Sequence, residues 1–90
     1  MSDWSLLSNH AQALICIARE PGMRIRDVAD CLEVTERSAH RLVKDLCAEG
    51  YLTKSREGTR NTYEVHPDAP LGDGVADGHR VGELLRLFAK

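Results

Sequence analysis

The sequence predicts an α+β fold: a three-helix core, a β-hairpin and an additional C-terminal helix. Three observations predict it. Apolar residues recur at helical spacing ahead of Gly50, Tyr63 and Val65 alternate with polar neighbours after it, and a second helical stripe follows a stretch rich in Pro, Gly and Asp. The chain has 90 residues, enough for one domain with a thin stability margin that a partner subunit could supplement. Apolar residues make up 42% of it, the globular norm, which excludes disorder of the whole. Aromatics are only Trp4, Tyr51, Tyr63 and Phe88, so the core must be built from Leu, Ile, Val and Ala.

The elements follow in order. Ala11, Leu14, Ile15 and Ala18 place a first helix before Glu20, capped by Ser8 or Asn9 and stopped by Pro21-Gly22. Trp4, Leu6 and Leu7 precede it and are free to pack on the body or on a partner. Ile25 reads as a short inward-pointing strand or bridge residue. A short helix follows, with Asp27 in its first turn and Val28, Ala29 and Leu32 facing inward. Thr35 caps a third helix, residues 36–49, whose apolar stripe is Ala39, Leu42, Val43 and Leu46 and whose stop is Gly50. A hairpin then spans 51–65, hinged at Gly58. Residues 67–78 read as a loop. The last helix, 79–90, carries Val81, Leu84, Leu85 and Phe88 at i, i+3, i+4 and i+7.

Charge is unevenly placed. The chain carries 12 basic and 14 acidic side chains, a formal net charge of −2. Between Arg37 and Arg60 the balance reverses: Arg37, Arg41, Lys44, Lys54, Arg56 and Arg60 stand against Asp45, Glu49 and Glu57. Steps of four and three put Arg37, Arg41 and Lys44 on one face of the third helix, with His40 beside them and the apolar stripe opposite. The major groove of B-DNA admits a helix, and its purine edges accept hydrogen bonds from Arg and Lys. A basic hairpin alongside can reach phosphates or the minor groove. A solvated face on which Arg37 and Arg41 merely pair with Glu36 or Asp45 is the plainer alternative.

The stretches "RIRDVADCLEVTERSAHRLVKDLCAEGYL" and "SREGTRNTYEVH" resemble the winged helix-turn-helix domain of MarR-type transcriptional regulators, including short actinobacterial forms built as one such domain. The resemblance runs from His10 to His66. It implies that residues 1–66 form a winged helix-turn-helix DNA-binding domain, with the third helix as recognition helix in the major groove. Groove contacts then fall on Arg37, Ser38, His40 and Arg41, with Lys44 on phosphate and Thr35 offering the helix entry. The wing role falls on Lys54, Arg56, Arg60 and Asn61. The implied function is a sequence-specific double-stranded DNA-binding regulator, and the rival is a winged-helix protein-interaction module. Trp4, Leu7, Val81, Leu84, Leu85 and Phe88 are the candidates for homodimerisation, and a two-fold dimer would read a pseudo-palindrome.

Other classes are poorly supported. No Ser-His-Asp, Cys-His or paired-carboxylate arrangement has sensible spacing, so an enzyme is not expected. His10, His66 and His79 are scattered, so no metal or cofactor is expected either. Cys16, Cys31 and Cys47 read as buried free thiols, which fits a cytoplasmic protein. No signal peptide and no membrane-length apolar run is seen.

Overall fold

A computed structural model describes residues 5–88. The order is α1 (Asn9–Arg19), α2 (Ile25–Leu32), α3 (Glu36–Ala48), β1 (Leu52–Glu57), β2 (Arg60–Val65), a 3₁₀ turn at Gly74–Ala76, and α4 (Val81–Arg86). This is a winged helix-turn-helix: three helices, a two-stranded antiparallel hairpin and a further helix, as the sequence leads one to expect. Trp4 lies outside the described residues.

Each helix start has a local cause. The Ser8 hydroxyl accepts from the Ala11 N–H at 3.1 Å and caps α1. The Arg24 N–H donates to the Asp27 carboxylate at 3.1 Å, which fixes the first turn of α2. Ile25 is therefore the first residue of α2 and not a strand or bridge residue, because the Asp27 contact makes Arg24 the N-cap. At α3 the Thr35 hydroxyl accepts from the Ser38 N–H at 3.0 Å.

Two helix ends share one device. After α2, Glu33 adopts the left-handed region (φ 57°), while the Val34 N–H reaches the Ala29 carbonyl at 3.0 Å. After α3, Gly50 does the same (φ 85°) and the Tyr51 N–H reaches Leu46 at 2.9 Å. Both are Schellman-type ends. Glycine suits the second without strain; glutamate at the first carries a Cβ into crowded space.

The core lies where α1, α2 and α3 meet the hairpin base. Ala13, Leu14, Ile17, Val28, Ala29, Ala39, Leu42, Val43 and Leu46 are buried there with Leu52 and Tyr63. Leu52 pairs with Val65, and the register runs out to Glu57 opposite Arg60, leaving Gly58 and Thr59 as a two-residue turn with Gly58 at φ 63°.

The segment 67–78 is a loop, but a tethered one. Its ends are tied by the Leu71 N–H to His79 (2.8 Å), the Val81 N–H to Ala69 (2.9 Å) and the Gly82 N–H to Pro67 (2.9 Å). These ties explain why α4 begins at Val81 and not at His79. Arg80 is extended and bridges Pro70, so neither His79 nor Arg80 is available to the helix. Val81 then enters the core at 1% exposure.

Candidate nucleic-acid interface

Helix α3 separates two chemistries. Ala39, Leu42, Val43 and Leu46 are buried, while Arg37, Ser38, His40, Arg41 and Lys44 are all exposed. Arg37, His40, Arg41 and Lys44 line one shallow hollow together with Ile25 and Glu36. Among the described residues, neither arginine nor Lys44 forms a salt bridge. Of the two partners the plainer alternative names, Glu36 forms no salt bridge among the described residues, and Asp45 is engaged elsewhere: its carboxylate meets His10 Nε2 at 2.9 Å, across from α3 to α1. The basic face is thus left with its donors unoccupied.

The entry to α3 is organised as well. The Thr35 hydroxyl, besides capping, donates to the Ser38 hydroxyl at 3.1 Å. This fixes the Ser38 oxygen as an acceptor and leaves its own proton able to donate outward.

The hairpin has two unlike faces. Residues two apart in a strand share a face, and so do residues directly opposed in the ladder. The register therefore groups Leu52, Lys54 and Arg56 with Val65, Tyr63 and Asn61, and groups Thr53, Ser55 and Glu57 with Glu64, Thr62 and Arg60. Lys54, Arg56 and Asn61 continue the face whose inner end is the buried pair Leu52 and Tyr63. Arg56 is also held locally, its Nε donating to the Gly58 carbonyl at 3.2 Å. Arg60 stands on the other face. Its guanidinium donates to the Gly22 carbonyl, at the turn between α1 and α2, at 2.6 Å. The structure therefore brings Lys54, Arg56 and Asn61 together and sets Arg60 apart from them. Strand parity could have shown this from sequence, since a two-residue turn at Gly58-Thr59 puts Arg60 out of phase with Lys54 and Arg56. Glu57 falls on the Arg60 face, so its negative charge is turned away from the basic one.

Cys47 lies beneath this region. Burial pushes its thiol above the ordinary value, against a smaller opposing pull from Lys54. Burial likewise raises the Tyr63 hydroxyl, with Cys47 adding to it. Both groups stay protonated at neutral pH, so Cys47 is packing and not a nucleophile.

Two further placements correct the sequence reading. Cys16 on α1 and Cys31 on α2 form a disulfide, with Cα atoms 7.2 Å apart, and only Cys47 is free. Periodicity placed each cysteine on its helix but could not show that α1 and α2 turn these two toward one another. Of the dimerisation candidates, Val81 is consumed by its own core. Leu7, Leu84, Leu85 and Phe88 are half-buried, and Leu87, which the stripe omitted, is 77% exposed. Leu85 and Phe88 line a groove with Ile15, Ala18, Met23 and the two bridged cysteines.

Three helices followed by a two-stranded antiparallel hairpin and a further helix define a winged helix-turn-helix protein, here with an exposed basic face on α3. The sequence profile of the MarR family matches residues 4–60, more than half of the chain, and the chain belongs to that family. The family supplies the coarse class: transcription regulators built on a winged helix. Among similar solved structures is the zinc-dependent MarR family transcriptional regulator AdcR in its Zn(II)-bound state, at 22% identity and a TM-score of 0.52. The match covers 73% of this chain and 47% of that one, so the chain spans about half the length of that regulator. At this identity the likeness carries the fold. A search of curated proteins gave no match. Among the described residues, no three His, Cys, Asp or Glu side chains group to hold a metal ion, and no helix is long and apolar enough to cross a membrane.

Proposed function

We propose that the chain is a sequence-specific double-stranded DNA-binding transcription regulator. In this reading α3 lies in the major groove, with Arg37, Ser38, His40 and Arg41 on base edges and Lys44 on phosphate. Lys54, Arg56 and Asn61 meet the backbone or the minor groove from the wing. The observation that carries the reading is the unpaired basic face of α3, kept clear because Asp45 is drawn to His10. The overall charge of −2 does not oppose it, since most acids lie outside the Arg37–Arg60 segment.

The reading includes a homodimer, supported by the apolar residues left at the surface by α4 and the turn that ends it, Leu87 above all. It places the chain in the cytoplasm with the DNA. The Cys16–Cys31 bridge withdraws the thiol argument for that location, which then rests on the DNA-binding reading alone. Genome-wide binding followed by footprinting tests the function. The expected result is two protected half-sites separated by one helical turn or a multiple of it. Diffuse occupancy with no footprint contradicts it and favours a protein-interaction module.

A further inference from the structure

Arg60 has a role that the DNA-binding reading does not assign. It opens β2 directly after the Gly58-Thr59 turn, at the outer end of the hairpin. Its Nη2 donates to the Gly22 carbonyl at 2.6 Å, a short charge-assisted bond spanning 38 residues of sequence. The acceptor is well fixed. Gly22 follows Pro21, and the turn around it is closed by the Met23 N–H on the Glu20 carbonyl at 3.0 Å. Arg60 also sits directly over it, since a Cβ placed on Gly22 would lie 3.6 Å from Nη2.

Among the described residues, no other hydrogen bond joins the outer hairpin to the helical body. The base is held by Leu52, Tyr63 and the Tyr51 N–H on Leu46. From there β1 extends about 17 Å to Glu57 at the usual rise per residue. A lone two-stranded hairpin of this kind is marginally stable and bends easily. A bond at its far end restrains the angle at which it stands, alongside the packing of Ser55, Glu57 and Thr62 near Pro21 and Gly22.

We infer that Arg60 is a positioning residue, a strut between the wing and the α1–α2 turn, and not a DNA contact. It sets where Lys54, Arg56 and Asn61 fall relative to the α3 face. The inference rests on the DNA-binding reading for its consequence, but its structural half stands apart.

The test compares wild type, Lys54→Ala, Arg60→Ala and Arg60→Gln on a duplex enriched by the wild-type protein from a random-sequence DNA pool, across a salt series. A lost phosphate contact lowers the salt slope by about one. Lys54→Ala is expected to show that loss. Arg60→Ala is expected to bind roughly tenfold more weakly with the wild-type slope, since Lys54 and Arg56 still reach phosphate in the complex and only the cost of ordering a looser wing is added. Amide exchange of the free protein is expected to quicken from Ser55 to Asn61 in Arg60→Ala, with little change in melting temperature. Arg60→Gln, which keeps an N–H donor without the charge, should exchange more slowly than Arg60→Ala. A slope reduced by about one in Arg60→Ala would make Arg60 a phosphate contact and overturn the inference. Unchanged wing exchange, or a collapse of the whole fold, overturns it too. A wild type without salt-dependent DNA binding defeats the DNA-binding reading instead, while the exchange measurement still judges the strut.

Discussion

Single side chains at helix ends decide how α3 is presented. Thr35 caps the helix and orders Ser38, so one hydroxyl serves both stability and the site. Thr35→Ala is expected to cost about 1 kcal/mol in denaturant unfolding, in line with a lost cap. Glu33 is the opposite case, a residue in the left-handed region where glycine fits better. Glu33→Gly is expected to stabilise the fold by roughly 0.5–1 kcal/mol, read as a raised denaturation midpoint with an unchanged slope. A loss of stability would mean that the Glu33 side chain makes contacts that outweigh its backbone strain. Much at this scale was legible in the sequence. Thr35, Gly50 and Gly58 announce their roles because caps, left-handed ends and tight turns depend on one residue's own chemistry. Arg60 and Asp45 do not, because their partners, Gly22 and His10, lie far away in sequence and only packing brings them near.

At the level of elements, the hairpin matters through its two faces and α1–α2 through its crosslink. The Cys16–Cys31 bond closes a loop of 15 residues, and such a loop contributes about 3 kcal/mol in the chain-entropy account. Reduction is therefore expected to lower the melting temperature by more than about 10 °C for a domain of this size. The Cys16→Ser variant should melt at the reduced protein's temperature with or without reductant. A melting curve indifferent to reductant contradicts this. Helix α4 depends on Glu83, whose carboxylate accepts from His79 and from the Arg80 N–H at 2.9 and 2.8 Å. The His79 bond, then the Arg80 bond, holds Glu83 below its ordinary value of 4.5. A depressed carboxylate lends its support above its unfolded pKa and loses it as pH falls through the folded one. Protection of the α4 amides, measured against their intrinsic exchange rates, should accordingly fall in acid below about pH 4.5, and Glu83→Gln should remove that dependence. The sequence marks α4 by its stripe but overstates its length, because the bridge from Pro70 to Arg80 has no local signature.

For the whole molecule, the fold follows from pattern because it is built mostly from amphipathic elements in chain order. Helical and strand periodicities reveal which faces turn inward, and the glycines mark where elements end. The assembly is harder to read. Val81 belongs to the same stripe as Leu84 and Phe88, yet it is buried within one chain. The stripe therefore divides between core and surface. Leu87→Asp is expected to turn a dimer into a monomer in sedimentation without unfolding it; a wild type already monomeric at micromolar concentration contradicts the dimer.

In the proposed function the uncovered basic face of α3 reads DNA. The most direct measurement of this is equilibrium binding to the footprinted duplex across a salt series, for wild type and for the Arg37→Ala, Arg41→Ala double variant. Wild-type affinity is expected to fall steeply with salt, and the double variant to lose about 1–3 kcal/mol per arginine together with its preference over mixed-sequence DNA. A double variant that binds and discriminates as the wild type does would contradict that function.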